Sequence, residues 1–279
     1  MKSLPHLCAL VIAAMCSAAC FSSQTVLKLH PDGTGTIEQT NLVNTAMIGM
    51  ASGMAKSMGG ENAEGGNLPV KPEELFSEDQ LKKQADQMGK NVRFVSSERL
   101  TNGAMQGAKA IYAFDRIEDV TVGSSMKVSG DDASVNPSAS RIQFALAPNG
   151  AQKRLTVTFP DPKPTDTPAP SGAAPAASER PQIPPEAFAM VKSMFDGARM
   201  SIDVEVDGPI ISTNAPASSA SRATLVEVDF GELLSDPSKL QMLQTLKPGV
   251  DFATVRKTLE GVKGVKMPAQ PTVTIDFGK

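Results

Sequence analysis

Aromatic side chains are scarce in this sequence of 279 residues: tryptophan is absent, and the single tyrosine is Tyr112. Proteins that bind single-stranded nucleic acid stack the bases on aromatic side chains, so the composition argues against that function. An excess of basic residues is also lacking, since 27 lysines and arginines stand against 30 aspartates and glutamates, for a formal net charge of −3. Because a phosphate backbone attracts basic proteins, we expect no nucleic-acid partner.

Cysteine and histidine are also rare, with three cysteines and two histidines in the chain. Cys8 and Cys16 lie in an apolar N-terminal segment, so Cys20 is the one cysteine beyond it and a disulfide framework is excluded. His6 lies in the same segment, which leaves only His30, among turn residues, for a catalytic triad or a zinc site. A G-x-S-x-G motif and a glycine-rich phosphate loop are both absent. We therefore expect a non-enzymatic protein with no metal ion and no other cofactor.

The N-terminus has the pattern of an export signal. Lys2 is its positive charge, residues 7–15 (LCALVIAAM) are its short apolar run, and residues 17–20 read SAAC. The SAAC stretch resembles the lipobox of bacterial lipoproteins. The resemblance implies that residues 1–19 are a signal peptide cleaved between Ala19 and Cys20, and that Cys20 carries the lipid. A general signal peptide with a cysteine there by chance is the alternative.

A lipid on Cys20 has consequences for the location of the protein. One acyl chain binds a membrane only marginally, whereas the two or three chains of a lipoprotein hold firmly. Phe21, and not aspartate, follows the cysteine. By the resemblance, a bacterium with two membranes would place such a protein in its outer membrane, facing the periplasm. We expect a protein of the cell envelope in which residues 20–24 form the lipidated tether.

Hairpin signals recur along the rest of the chain. Residues 25–43 contain two stretches suited to strands around a Pro-Asp-Gly turn, and Asp-Gly is a strong hairpin signal. Asn-Gly pairs at 102–103 and 149–150 join further alternating stretches, and both predict type I′ turns.

Helical signals accompany the hairpins. Ser77 and Gln80 have the spacing of a capping box at the start of a predicted helix over 77–88. We predict an α+β fold: an antiparallel sheet built from hairpins with helices packed on it. Residues 25–279 then form a single α+β domain, interrupted by a Pro/Ala-rich disordered insertion at about 160–185.

A stripe of methionines is the most suggestive feature of the sequence. Spacings of three, four and four residues place them on one side of a predicted helix over 44–58; the four are Met47, Met50, Met54 and Met58. Methionine adapts to irregular apolar shapes, so these side chains are candidate contacts for a hydrophobic ligand such as an acyl chain. An ordinary helix packed on a sheet is the alternative.

Three acidic residues alternate along a predicted strand. Asp203, Glu205 and Asp207 lie two residues apart and therefore share one face. Carboxylates in such a row can bind Ca²⁺, but the turn glycine and final glutamate of a calcium loop are missing. We therefore expect a solvated sheet face here.

Three further stretches carry a family resemblance: DGTGTIEQT at 32–40, DVEVDGPIISTNA at 203–215 and TLVEVDF at 224–230. Together with the cysteine that precedes them, they resemble the LppM-like bacterial lipoproteins. The resemblance implies an α+β sheet with helices packed on it and a role in handling envelope lipids.

These observations predict a membrane-anchored lipoprotein of the bacterial envelope that binds a lipid or another hydrophobic ligand. A scaffold or assembly lipoprotein that acts through protein–protein contacts is the alternative. The expected partners are the membrane, reached through the lipid anchor, together with a lipid ligand or an envelope protein.

Overall fold

The structure, a computed structural model, describes residues 21–45, 76–103, 105–123, 141–160, 195, 197–235 and 252–278. Most of these residues lie in strands, which are β1 (Phe21–Leu29), β2 (Gly35–Asn44), β3 (Arg93–Asn102), β4 (Met105–Phe114), β5 (Thr121–Gly123), β6 (Arg141–Asn149), β7 (Gln152–Thr158), β8 (Arg199–Val206), β9 (Ile210–Thr213), β10 (Ala217–Ser218), β11 (Arg222–Asp229), β12 (Val265–Lys266) and β13 (Thr272–Phe277). The helices in the described part are α1 (Glu78–Met88), α2 (Phe230–Leu233) and α3 (Phe252–Leu259).

The strands form two sheets. The large sheet has eight strands in the order β10, β11, β8, β1, β2, β4, β3, with β12 also paired to β11. The small sheet has five strands in the order β5, β6, β7, β13, β9. Neighbouring strands are antiparallel except β1 and β8, which run parallel. Strands from before and after residues 161–194 lie side by side in both sheets, because β8 pairs with β1 and β13 pairs with β7.

One hydrophobic core joins the two sheets. The large sheet contributes fully buried residues such as Leu27, Ile37 and Tyr112, and the small sheet contributes Leu155 and Ile275. These side chains come from alternate positions of their strands, so each sheet turns one apolar face inward. The packed apolar faces are the main source of stability, since burial removes apolar surface from water.

The predicted fold class is wrong. The described residues are mainly β, with two sheets and three short helices, and the large sheet contains a parallel pair. The prediction assumed one antiparallel sheet whose apolar face needed helices to cover it. The small sheet supplies that cover instead, because β6, β7 and β13 present a second alternating apolar face. Helix α1 adds Leu81, Ala85 and Met88 to the same core without forming a layer of its own.

The first predicted hairpin is present as β1 and β2. Leu27 pairs with Ile37 in an antiparallel register that extends from Phe21 to Gly35. The side chain of Asp32 stabilises the turn, because its Oδ1 accepts hydrogen bonds from the Thr34 backbone N–H at 2.9 Å and from the Thr34 hydroxyl at 2.7 Å. The turn sequence therefore fixes which strand residues face the core.

The later hairpins form at the predicted Asn-Gly pairs, but the predicted type I′ turn is wrong at the second. Asn149 pairs with Gln152, so Gly150 and Ala151 are the central turn residues. Gly150 has φ 63°, and Ala151 is not among the residues with positive φ. A single positive φ at the first central position defines a type II′ turn, which places glycine there.

Helix α1 begins and ends near the predicted residues. Its N-cap is Ser77, and its C-cap is Gly89. The capping box is not formed, because the Ser77 side chain makes no capping hydrogen bond. The helix is held by its buried face and by Gln84, whose Nε2 donates to Gln39 Oε1 on β2 at 2.9 Å.

Candidate functional site

The end of the large sheet next to Cys20 is the first candidate site. Strand β1 begins at Phe21, directly after that cysteine, so residues 21–24, expected in the tether, are strand residues. The Ser22 hydroxyl donates a hydrogen bond to the backbone oxygen of Arg199 at 3.2 Å. Because β1 and β8 run parallel, both strands begin here. We call this region, where β1 and β8 begin and β2 and β11 end, the Cys20 end.

Three charged side chains form a triad on one face of the Cys20 end. Arg199 Nη2 lies 2.5 Å from Glu227 Oε1, and Lys266 Nζ lies 3.2 Å from Glu227 Oε2. Burial opposes ionisation of Glu227, but the hydrogen bonds from Arg199 and Lys266 outweigh it, so the pKa of Glu227 lies below its usual value. One carboxylate is thus shared by two cations.

An open cleft of about 520 Å³ lies beside this triad. Its lining is polar and charged, and consists of Gly197, Arg199, Asp229, Gly231, Glu232 and Ser235. Asp229 is engaged locally, since its Oδ1 accepts the Glu232 backbone N–H at 2.9 Å and caps α2. The cleft therefore offers the Arg199 guanidinium, together with the Glu232 carboxylate that pairs with Lys263, next to the beginning of β1.

Asp203 proves to be buried, contrary to the expectation of a solvated acidic face. Its carboxylate accepts hydrogen bonds from Arg222 Nη2 at 2.9 Å, from the Thr224 hydroxyl at 2.8 Å and from the Ser201 hydroxyl at 3.2 Å. Only 6% of the side chain is exposed. Glu205 lies on the same face of the strand. Because Asp203 already has three partners, Asp203 is an ion-paired structural group and not a cation ligand.

A second buried carboxylate belongs to the small sheet. Asp276 accepts two hydrogen bonds from Arg154, at 2.6 and 2.7 Å, one from Ser212 at 2.9 Å and one from Asn149 at 3.2 Å. The Arg154 pair is the largest cause of its low pKa, which is about 2. Every lone-pair direction of the carboxylate is in use, so this cluster links β6, β7, β9 and β13 and is not arranged for catalysis.

The residues predicted for signal cleavage, lipidation and ligand contact lie outside the described part of the chain. Ala19 and Cys20, the predicted cleavage and lipidation residues, precede it, and the candidate ligand contacts Met47, Met50, Met54 and Met58 fall in the gap after residue 45. Sequence reasoning missed the triad of Arg199, Glu227 and Lys266. Its members come from three strands, and no sequence pattern predicts that β12 pairs with the end of β11.

Within the described ranges, no three histidine, cysteine, aspartate or glutamate side chains lie close enough together to bind a metal ion. In the same ranges, no helix has both the length and the apolar character needed to cross a membrane.

Comparisons with known proteins add a weak likeness. No known protein family matches the sequence, and no curated protein is similar to it. Among solved structures, the chain is similar to the folded domain of the LppM protein from Mycobacterium tuberculosis, determined by NMR. The TM-score is 0.31 and the identity 11%, over 92% of this chain and 89% of that chain. The resemblance to LppM-like lipoproteins is thus met by a weak structural likeness, which is too distant to decide the fold or the function.

Proposed function

We propose that this protein is a lipid-anchored protein of the bacterial envelope that binds a lipid or another hydrophobic ligand without catalysing a reaction. The observation that carries the proposal is the start of β1 at Phe21. A lipid on Cys20 would be joined to the sheet by one peptide bond, which leaves no flexible spacer. The Cys20 end would then face the membrane, and a ligand leaving that membrane would meet the cleft beside Arg199 first.

The two buried carboxylates of the described residues are structural groups, which argues against a catalytic role for them. The carboxylates of Asp203 and Asp276 are each held by an arginine and by hydroxyl groups that stabilise the sheets. A general acid or base needs a proton that it can exchange near neutral pH, whereas the pKa of Asp276 is about 2.

The anchor is tested in cells of a bacterium with two membranes. Wild-type protein should incorporate labelled palmitate, and globomycin should block removal of residues 1–19. Cys20→Ser should abolish labelling, whereas Cys8→Ser and Cys16→Ser, which alter cysteines inside the signal, should leave it unchanged. Mature wild-type protein that carries no palmitate label would contradict the anchor.

The ligand is tested by native mass spectrometry of protein extracted in mild detergent, where a bare protein mass would contradict lipid binding.

The edge strand β3 favours a scaffold as the second candidate function. It has ten residues, pairs among the described residues with β4 alone, and exposes 56% of Val95. The other edge strands of the described part are short, with three residues in β5, four in β9 and two each in β10 and β12. A long open edge has unpaired backbone groups that can bind an added strand from another protein.

Crosslinking distinguishes the scaffold from the binding protein. A photoreactive amino acid at Val95 should capture one dominant envelope protein if β3 is an assembly edge. Ile211 on β9 is the matched control, because it is 52% exposed on a short edge strand. Equal and diffuse crosslinking from both positions would count against the scaffold.

A further inference from the structure

We propose that the Cys20 end is a docking surface for a membrane of anionic phospholipids, with Arg199 and Lys266 as the groups that contact headgroup phosphates. The inference deepens the proposed function and rests on it for the anchor that brings this end to the membrane. It names the lipid class and the residues that recognise it, neither of which follows from lipidation alone.

The exposure of the triad places two cations outermost on this face of the Cys20 end, beside Asp229, which caps α2, and Glu232, which pairs with Lys263. The side chains of Arg199 and Lys266 are 55% and 48% exposed, whereas that of Glu227 is only 15% exposed. The two cations therefore extend past the carboxylate that they share. Because opposite charges lie at different depths, a phosphate approaching from solvent meets the cations first.

The donor count of the triad leaves room for a phosphate. Arginine has five N–H donors and lysine has three. Arg199 uses Nη2 for Glu227, and Lys266 gives one bond to the same carboxylate. Phosphate oxygens can accept the outward donors of both side chains without breaking either ion pair.

The position of the triad relative to Cys20 supports contact with the membrane in which the lipid is inserted. Arg199 lies beside Ser22, two residues after Cys20, and strand residues advance about 3.3 Å each. Basic groups this near an anionic surface contribute to binding, because the attraction falls off within a Debye length. Among the described residues, β1 and β8 need no rearrangement to bring Arg199 to the headgroups.

The same sheet offers two ion-paired control cations away from the Cys20 end. Lys28 pairs with Glu38 at 2.6 Å, and Arg93 pairs with Asp115 at 2.8 Å. Lys28 is six residues beyond Ser22 along β1, which corresponds to about 20 Å of strand. Arg93 lies at the same level of the sheet, because its partner Ala113 lies opposite Thr36, which in turn pairs with Lys28.

The test uses the mature chain from residue 20 with Cys20→Ser, so that no lipid contributes to binding. Vesicles of phosphatidylcholine, with or without phosphatidylglycerol, are sedimented with the protein at low and high salt. We expect binding to the anionic vesicles only, and weakening by salt. Arg199→Gln with Lys266→Gln should lower the affinity by about tenfold or more, since each basic residue at an anionic surface contributes on the order of 1 kcal/mol.

Two further variants keep the proposal open to refutation. Lys28→Gln with Arg93→Gln should retain affinity within about twofold, because those cations lie beyond the screening distance of an end-on membrane. Glu227→Gln should raise the affinity, which a damaged fold would not do. Equal binding to neutral vesicles, an equal loss in the Lys28 and Arg93 control variant, or a loss with Glu227→Gln would each overturn the proposal. Failure of palmitate labelling would refute the anchor without altering this measurement.

Discussion

The hydroxyl of Ser22 donates a hydrogen bond to the backbone oxygen of Arg199 at 3.2 Å, across 177 residues of sequence. This contact accompanies the parallel pairing of β1 with β8, in which Ser23 lies opposite Met200. Strand β1 is therefore an interior strand of the large sheet, with β8 on one side and β2 on the other. A lipid at Cys20 would thus hold the centre of a sheet, and not a loose terminus, against the membrane.

The packing of the two sheets predicts a large cost for Leu155→Ala. Leu155 on β7 is fully buried in the core that the two sheets share. Truncation leaves a cavity, so the free energy of unfolding should fall by about 2–5 kcal/mol. Ile211→Ala on exposed β9 should change it by less than about 1 kcal/mol. Chemical denaturation of both variants measures the difference, and equal effects would contradict the two-sheet core.

Gly107 lies where β4 approaches β2 too closely for a side chain. A Cβ built on Gly107 would lie 1.9 Å from the Asn41 backbone oxygen, so alanine there has to displace a strand. Gly107→Ala should lower the free energy of unfolding by about 1–3 kcal/mol, as overpacked sites do. Gly103→Ala, in the turn of the same hairpin, meets no neighbouring atom but has φ 60°. Its cost should be the smaller one, and thermal unfolding of the two variants tests the order.

Local signals predicted the hairpins of this fold, whereas the partnership of the sheets was not predictable. The Pro-Asp-Gly turn and the alternation around Leu27 and Ile37 specify β1 and β2 by themselves. Nothing local specifies that β1 also pairs with β8, because that contact depends on tertiary packing across most of the chain. The alternation of Leu155 and Val157 requires a covered face but does not say whether a helix or a sheet covers it.

The candidate site likewise combines a residue that local sequence signals predict with residues that only the tertiary fold brings together. A cysteine after small residues is a local signal, so Cys20 is predictable from sequence. Arg199, Glu227 and Lys266 come together only through the order of β8, β11 and β12 in the sheet. Asp203 was expected in solvent because alternating acids are typical of a wet face. In the structure, Arg222 on the neighbouring strand β11 pairs with the buried Asp203. Strand β11 has a bulge between Thr224 and Val226, next to this ion pair.

The ion pair of Asp203 with Arg222 should show energetic coupling. Arg222→Gln removes the cation that pairs with a buried carboxylate, which is strongly unfavourable for the remaining charge. Asp203→Asn with Arg222→Gln should be less destabilised than the sum of the single variants, with a coupling energy of about 1–3 kcal/mol. The four free energies of unfolding, measured by denaturant titration, give the coupling directly. Additive effects would show that the two side chains stabilise the sheet independently.

The low pKa of Asp276 predicts a loss of stability in acid. Hydrogen bonds from Arg154 hold the folded pKa at about 2, compared with an ordinary value of 3.8. Because the folded pKa is the lower one, the ionised carboxylate stabilises the fold fully above the ordinary value. That contribution is lost as the pH falls through about 2. It amounts to about 2 kcal/mol, since one pKa unit corresponds to about 1.4 kcal/mol.

Asp276→Asn tests this dependence. Near pH 7 the variant should be less stable than the wild type by about 2 kcal/mol, and the difference should shrink towards about pH 2, where the wild-type carboxylate is half protonated. Asp115→Asn is the control, because Asp115 pairs with Arg93 at the surface and both side chains are more than half exposed. Its effect should stay below about 1 kcal/mol at every pH. A difference for Asp276→Asn that persists unchanged in acid would mean that the amide disrupts the packing of β13, and that the charge of Asp276 contributes little.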